Sequence, residues 1–413
     1  MGRTRVNLQP IRGRARTGLP ALLLGAALLF TSACSGGGNA GGDGGSGGGD
    51  GVTGTTGTEA SKAVVSVKPD DGAKEVATSG ILKITSTGGK LTTVTVADTK
   101  GNAVEGKIAA DGASWEPARN LASATEYKVH AVAKDEAGRE SAKDTTFTTL
   151  TPANTFIGQY TPEDGSTVGV GMPVSINFSR GITNPEAVEK AITVTADPAV
   201  PVEGHWFGND RLDFRPEKYW AAGTKVTLRM SLDGVEGRPG VYGKQTRTVT
   251  FKVGRSQVTT VDAAAHQMSV VRDGAAIKNI PITAGAPANT TYNGQMVISE
   301  KYKVTRMNGA TVGFGGEYDI SDVPHAMRLT TSGTFVHGNY WASSGTFGSE
   351  NVSHGCVGLK DVRGAGDGSQ PAAWFFNESI IGDVVIVKNS KDKTVAPDNG
   401  LNGWNMDWAE WIK

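Results

Sequence analysis

Two histidines and one cysteine lie close together in the last third of the chain. His337 precedes Gly338, and Cys356 closes the tetrapeptide SHGC, 19 positions after His337. A thiol attacks a carbonyl as the thiolate, so it needs a neighbouring base or cation to lower its pKa from about 8.5. His337 and His354 can both supply that base. These residue types at this spacing predict a thiol nucleophile in an acyl-transfer site.

The backbone next to the cysteine favours the same chemistry. Gly355 permits an unusual backbone angle and lets a substrate approach closely. Backbone N–H groups at such a turn can form an oxyanion hole, and we expect Gly355 to contribute to one. The apolar residues Phe335 and Val336 predict a strand that carries His337 to the edge of the site.

Two other interpretations of these residues stay open on spacing alone. One cysteine with two histidines is a legitimate ligand set for zinc. A buried cysteine can also be inert, with the histidines incidental. The sequence has no Cys-x-x-Cys pair to strengthen the metal interpretation, and it gives no sign of a metal or an organic cofactor.

The N-terminus predicts export. Residues 1–34 contain five arginines without an acid, then the apolar stretch Leu19–Phe30, then small residues before Cys34. The apolar stretch is too short to span a bilayer comfortably. The segment resembles a bacterial lipoprotein signal with Cys34 as the lipidated residue, although Thr31 stands where leucine is usual. An ordinary secretory signal cut near Ala33 is the alternative.

Cysteine usage and composition add to this prediction. The chain has two cysteines, so lipidation of Cys34 leaves Cys356 as a free thiol in an oxidising compartment. A free thiol there is a liability unless the protein uses its reactivity. Residues 35–60 are rich in glycine, contain almost nothing apolar to bury and predict a flexible linker. Forty-one basic residues balance 41 acidic ones, which gives no electrostatic argument for nucleic acid.

A diverged tandem repeat follows the linker. The tetrapeptide PDDG at Pro69 recurs 93 positions later as PEDG at Pro162, and WEP at Trp115 has a counterpart in FRP at Phe214. Each copy continues into alternating apolar and polar residues, which predicts short antiparallel strands.

The predicted fold class is mostly β, in four parts after the linker. We expect immunoglobulin-like sandwiches, without the usual disulfide, at 61–151 and 152–254. Residues 255–389 predict a β-rich catalytic domain with one helix that begins at Pro371. Residues 390–413 contain three tryptophans close together, which we expect to pack back onto another domain.

The motif around Cys356 resembles a known family. His337-Gly338 followed by SHGC resembles the signature of the YkuD-type L,D-transpeptidases. Two immunoglobulin-like modules, a β-rich catalytic domain and a Trp-rich C-terminal segment are similar to the actinobacterial, mycobacterial-type members. The resemblance therefore covers nearly all of the chain after the linker, and it implies an enzyme that joins the third residues of two peptidoglycan stem peptides (3→3 linkage).

The resemblance also implies a role for each site residue. Cys356 would attack the donor tetrapeptide at its third residue and expel D-Ala, forming a thioester that passes to an acceptor amine. His337 would be the general base and acid, oriented by the main-chain carbonyl of Gly338, and His354 would support the site. The substrate contacts implied by the resemblance are Tyr318 in a lid, Ser332, Gly333, Trp341, Ser353 and Gly358.

Gly358 departs from the family pattern, which usually has Arg or Asn two residues after the cysteine. The glycine removes a side chain expected to hold the site or the substrate. We expect a neighbour such as Arg328 or Lys360 to substitute, and Gly358→Asn to be neutral or beneficial.

The resemblance implies partners and a location as well. The partners are peptidoglycan stem peptides, the membrane through lipid on Cys34, and carbapenem β-lactams as inhibitors, with no nucleic acid. The location is the outer face of the cytoplasmic membrane, in the cell wall space. Two alternatives remain: an L,D-carboxypeptidase that uses the same site, and a wall-binding lipoprotein whose site has decayed.

Overall fold

The computed structural model describes residues 59–311 and 315–413. The predicted export signal with Cys34, and the predicted linker up to residue 58, lie outside the described residues. No helix in the described ranges is long and apolar enough to cross a membrane.

The first module is a sandwich of two antiparallel-rich sheets. Its strands are β1 (Val64–Lys68), β2 (Ala73–Val76), β3 (Lys83–Thr87), β4 (Lys90–Asp98), β5 (Gly106–Ile108), β6 (Ser114–Pro117), β7 (Glu126–Lys134) and β8 (Glu140–Thr149). They form sheets ordered β1-β3-β6-β5 and β2-β8-β7-β4. Alternate residues of β7 are buried, as the period-2 pattern predicts. The core between the sheets contains Trp115, Tyr127 and Phe147.

The second module repeats this arrangement. Its elements are β9 (Asn154–Phe156), β10 (Gly158–Thr161), β11 (Thr167–Val168), β12 (Val174–Phe178), α1 (Pro185–Lys190), β13 (Ile192–Asp197), β14 (Glu203–Phe207), β15 (Arg211–Arg215), β16 (Lys225–Ser231), β17 (Glu236–Arg238), β18 (Val241–Gly243) and β19 (Thr246–Val253). The main sheets are ordered β10-β12-β15-β14 and β11-β19-β16-β13, with β17-β18-β9 as a small third sheet. The order matches that of the first module.

The repeated tetrapeptides make the same turn in both modules. Gly72 N–H donates to the Thr146 carbonyl at 2.7 Å, and Gly165 N–H donates to the Thr250 carbonyl at 2.8 Å. The two glycines have φ angles of 75° and 74°, which only glycine adopts readily. The sequence repeat therefore corresponds to a structural repeat.

The region predicted to be catalytic, called the catalytic region below, is one bent sheet around a helix. Its elements are β20 (Gln257–Asp262), β21 (Gln267–Arg272), β22 (Ala275–Thr283), β23 (Gly294–Val297), β24 (Glu300–Asn308), β25 (Asp319–Arg328), β26 (Phe335–Asn339), β27 (Val357–Lys360), α2 (Pro371–Glu378) and β28 (Val384–Lys388). The described strands are ordered β23-β28-β20-β21-β22-β27-β26-β25-β24. The beginning of β22 pairs with β21 and its end pairs with β27, so β22 joins the two halves of the sheet. Phe375 of α2 is fully buried in the core that both halves share.

The tail returns to the second module, as predicted. It contains α3 (Trp408–Trp411). Trp404 Nε1 donates to the Gly171 carbonyl at 2.7 Å, and Trp411 Nε1 donates to the Glu203 carbonyl at 3.0 Å. The Arg215 guanidinium lies over the Trp411 ring at 4.3 Å and also over the rings of the other two tail tryptophans. The tail therefore fixes the catalytic region to the second module.

Candidate active site

Strand pairing brings the predicted nucleophile and base together. The strands β26 and β27 are parallel neighbours, with His337 opposite Gly358. Cys356 lies two residues before Gly358, and Asn339 lies two residues after His337. Because strand side chains alternate between the two faces, these positions share one face of the sheet.

Side chains from this face and from the β24–β25 hairpin enclose a cavity of about 180 Å³. Six of the predicted site residues line it: Tyr318, His337, Trp341, Ser353, His354 and Cys356. Four further residues complete the lining: Met307, Ile320, Asn339 and Val352. The other predicted site residues, which do not line this cavity, are Ser332, Gly333, Gly338, Gly355 and Gly358.

Cys356 is buried at the base of the cavity with 9% of its surface exposed. Its Sγ donates a hydrogen bond to the Gly333 carbonyl, with the two atoms 3.6 Å apart. Burial raises the pKa of Cys356 to about 11, because the low-dielectric surroundings disfavour the thiolate. The expected lowering of this pKa is therefore wrong for the resting enzyme, in which the thiol keeps its proton.

His337 has a defined tautomer. Its Nδ1 lies 2.9 Å from the Gly338 carbonyl. A carbonyl can only accept, so Nδ1 carries the proton and Nε2 is left as the basic nitrogen. Burial lowers the pKa of His337 below its ordinary 6.5, so the ring is neutral at neutral pH. Trp341 stacks on the ring, with centroids 5.7 Å apart and planes 18° apart.

A buried hydrogen-bonded pair of side chains lies behind this histidine. Asp361 Oδ2 and His325 Nδ1 are 2.7 Å apart, and both side chains are almost completely buried. A Cβ at Gly338 would lie 2.0 Å from Asp361 Oδ2, so only glycine fits beside that carboxylate. Asp361 raises the pKa of His337, which partly offsets the effect of burial. The sequence analysis missed this pair because its partners lie far apart in the chain.

The turn before Cys356 is held by hydrogen bonds of the Ser353 side chain and by a backbone hydrogen bond to Ala284. Ser353 Oγ donates to the Cys356 carbonyl at 2.6 Å and accepts from Gly355 N–H at 3.2 Å. Gly355 has φ of 107°, a conformation that favours glycine. Ser353 N–H donates to the Ala284 carbonyl at 3.0 Å. Ser353 therefore supports the turn, and the oxyanion-hole role of Gly355 stays a prediction.

His354 connects this turn to the hairpin that covers the cavity. Its Nε2 lies 3.3 Å from Glu317 Oε2, and its ring centroid is 5.0 Å from that of Tyr318. Burial, with a smaller contribution from Cys356, raises the pKa of Tyr318 to about 12, so its hydroxyl stays protonated. These contacts suit His354 to a supporting role.

The space beside Gly358 is already filled. A Cβ at this position would lie 2.8 Å from Thr283 Cγ2 and 3.5 Å from Asn339 Nδ2. Arg328 Nε instead pairs with Glu300 at 2.6 Å, and Lys360 is exposed, so neither lines the cavity. The expected substitution by Arg328 or Lys360 for the missing side chain at residue 358 stays a prediction.

Ser332 does not line the cavity and instead forms hydrogen bonds with Asn399. Its Oγ accepts from Asn399 Nδ2 at 2.8 Å, and its N–H donates to Asn399 Oδ1 at 3.0 Å. Its predicted contact with substrate stays a prediction. Within residues 59–311 and 315–413, no group of three or more His, Cys, Asp or Glu side chains is arranged to hold a metal ion.

Comparison with known proteins agrees with this site. Residues 256–387 match the L,D-transpeptidase catalytic domain, YkuD, and residues 73–236 match a bacterial Ig domain. L,D-transpeptidase 2 of Mycobacterium tuberculosis is 31% identical over 99% of this chain and 96% of that protein. L,D-transpeptidase 5 of the same species is 29% identical over 84% of this chain and 76% of that protein. The chain belongs to the L,D-transpeptidase family, and both the family and the transpeptidase activity predicted from the motif are confirmed.

A solved structure extends the comparison. The L,D-transpeptidase LdtMt1, solved in complex with imipenem, is 27% identical and matches 56% of this chain and 97% of that chain, with a TM-score of 0.47.

Proposed function

We propose that this enzyme forms 3→3 cross-links in peptidoglycan through a thioester on Cys356. One observation carries the proposal: Cys356, the residue just before β27, and His337 on the adjacent β26 line the same cavity, and the Gly338 carbonyl fixes the histidine tautomer. A fixed base next to a thiol is the arrangement that nucleophilic acyl transfer needs.

The first half of the reaction forms the acyl-enzyme. Cys356 Sγ attacks the carbonyl carbon of the donor's third residue as its proton passes to His337 Nε2. The bond to the terminal D-Ala then breaks, and the imidazolium returns the proton to the leaving amine. One histidine performs both transfers, as microscopic reversibility requires.

The second half releases the product. An amine from the third residue of an acceptor stem attacks the thioester and gives a proton to His337 Nε2. The C–S bond breaks, and the proton returns to Cys356 Sγ. The side chains of Met307, Ile320 and Val352 form an apolar part of the cavity wall. Such a wall limits the access of water to the thioester, which favours cross-linking over the carboxypeptidase reaction.

Reaction with a carbapenem tests the nucleophile. The full chain is incubated with imipenem and its intact mass is measured, with Cys356→Ser as the matched control. We expect one adduct on the wild type and none on the variant, because only a thiol at residue 356 opens the β-lactam. An unmodified wild type, or the same adduct on Cys356→Ser, would contradict the proposal.

We also propose that lipid on Cys34 holds the enzyme at the outer face of the cytoplasmic membrane. The proposal is supported by the arginines, the apolar stretch and the small residues before Cys34. The test is fractionation of cells that produce wild type or Cys34→Ala. The wild type should be in the membrane fraction and the variant should leave it. Equal membrane association of both would contradict lipid anchoring at this residue.

A further inference from the structure

Asn339 lies in the cavity with the nucleophile and the base, and neither the motif nor the mechanism above uses it. It follows His337 on β26 by two residues, so both side chains point to the same face. Only 3% of the residue is exposed, yet it lines the cavity with Cys356. A polar side chain this deeply buried requires an explanation.

The orientation of its carboxamide follows from its hydrogen bonds. Asn339 Oδ1 accepts from Trp341 N–H at 3.1 Å and from Ala342 N–H at 2.9 Å. Backbone N–H groups can only donate, so the atom that receives both must be the oxygen and the amide cannot be flipped. The other end of the side chain is therefore the NH₂ group, with two donors.

The NH₂ group has space and lacks a protein partner. Among the residues that the structure describes, none accepts a hydrogen bond from Asn339 Nδ2. Asn339 Nδ2 is not fully enclosed by protein. Because Asn339 lines the cavity, this atom reaches the cavity rather than the protein interior. It lies 3.5 Å from the position of a Cβ at Gly358, and the missing side chain there leaves the amide room.

We propose that Asn339 positions the acyl donor by donating a hydrogen bond from Nδ2 to an oxygen of the donor's third residue. A carboxylate and a carbonyl both offer this acceptor. The two anchored bonds on Oδ1 fix the amide before substrate binds, so little side-chain entropy is lost on binding. The inference rests on the proposed function, since it assigns a contact within the same donor site.

The test separates this role from a purely structural one. The key variant is Asn339→Asp, which keeps an oxygen for both backbone N–H groups and removes the NH₂ donors. The measurements on the full chain are kcat/KM for a tetrapeptide donor, the rate of alkylation of Cys356 by iodoacetamide, and the midpoint of thermal unfolding. Alkylation reports on the nucleophile without the donor contact.

We expect Asn339→Asp to lower kcat/KM about 10- to 100-fold more than it lowers the alkylation rate, with the thermal midpoint preserved. Asn339→Ala, which loses the anchor as well, should lose kcat/KM and also lower the midpoint. Equal losses in kcat/KM and alkylation for Asn339→Asp, or no loss in either, would overturn the inference.

A second donor, amidated at the free carboxylate of its third residue, identifies which donor oxygen accepts the hydrogen bond from Asn339 Nδ2. A smaller penalty for Asn339→Asp on the amidated donor assigns the bond to the carboxylate, and an equal penalty assigns it to the carbonyl. Either result supports the inference. A wild type that releases no D-Ala would overturn the proposed function and this contact with it, whereas an active wild type with an unaffected variant would overturn the contact alone.

Discussion

Burial acts in opposite directions on the two reacting groups. It raises the pKa of Cys356 to about 11 and lowers the pKa of His337, so both are neutral at rest. A preformed thiolate–imidazolium pair is therefore disfavoured, and proton transfer accompanies attack on the substrate. The enzyme therefore keeps the thiol protonated until a carbonyl enters the cavity.

The pH dependence of Cys356 alkylation should show this resting state. The group has a raised pKa, so the thiolate fraction keeps growing up to about pH 11. The rate of alkylation by iodoacetamide should rise about tenfold per pH unit from pH 7 to 10, without levelling off near 8.5. A plateau reached by pH 7 would show an ion pair and contradict this description.

The two histidines of the motif should differ in their effect on turnover. His337→Ala removes the group whose Nε2 moves the proton, and it should lower kcat by about 10²- to 10⁴-fold. His354→Ala is the matched control, because His354 contacts the covering hairpin through Glu317 and Tyr318. Release of D-Ala by each variant is the measurement. A larger loss for His354→Ala would reverse the two roles.

The sequence predicts the reacting residues better than their surroundings. Cys356, His337 and His354 come from one motif, and the structure brings all three to one cavity. Asn339 could have been found from its spacing to His337, since residues two apart on a strand share a face. Asp361 could not, because its position against Gly338 depends on the pairing of β26 with β27.

At the scale of elements, three adjacent strands determine what residue 358 can be. Thr283 of β22 and His337 of β26 both pair with Gly358 of β27. A Cβ on Gly358 would lie 2.8 Å from Thr283 Cγ2, closer than side chains normally approach. The structure therefore predicts loss, rather than the neutral or beneficial effect expected from sequence, for a larger residue here.

A pair of substitutions tests this packing. Gly358→Ala should lower the stability by about 1–3 kcal/mol and reduce acylation by imipenem. Thr283→Ser removes Cγ2 and keeps the Oγ1 that accepts from Val352 N–H at 3.1 Å. The double variant should recover both properties, with Thr283→Ser alone as the control. A double variant as impaired as Gly358→Ala would show that the contact with Thr283 is not the cause.

Strands with an apolar alternation were predictable, and one without it was not. The pattern indicates β20, β21 and β28, and the proline at residue 371 marks the start of α2. The strand β24 was missed because it carries several charged residues and buries none of its residues fully on either face, so it gives no period-2 signal. Its pairing with β25 forms the hairpin that supplies Met307 and Ile320 to the cavity.

At the scale of the whole molecule, the second module and the catalytic region share packing. Val297 and Val384 of the catalytic region belong to the same buried cluster as the core of the second module. Gly169 N–H donates to the Ile381 carbonyl at 2.8 Å across this contact. The second module is therefore a platform that holds the catalytic sheet, and the sequence could predict the module but not this shared core.

The tail should contribute strongly to this arrangement. Trp411 is 1% exposed and packs against Arg215 and His205 of the second module. Trp411→Ala should lower the free energy of unfolding by about 3–5 kcal/mol. Ile412→Ala, at a neighbouring residue that is 53% exposed, is the control and should change little. Chemical denaturation measures both. Equal effects of the two changes would contradict a tail that fixes the two regions.

The most direct test of the central claim is analysis of the muropeptides that the full chain produces from a disaccharide tetrapeptide, with Cys356→Ala in parallel. We expect 3→3 dimers and free D-Ala from the wild type and neither from the variant. Tripeptide without dimers would assign carboxypeptidase activity to the same cysteine. An unchanged substrate, or dimers that persist with Cys356→Ala, would contradict cross-linking through a thioester at Cys356.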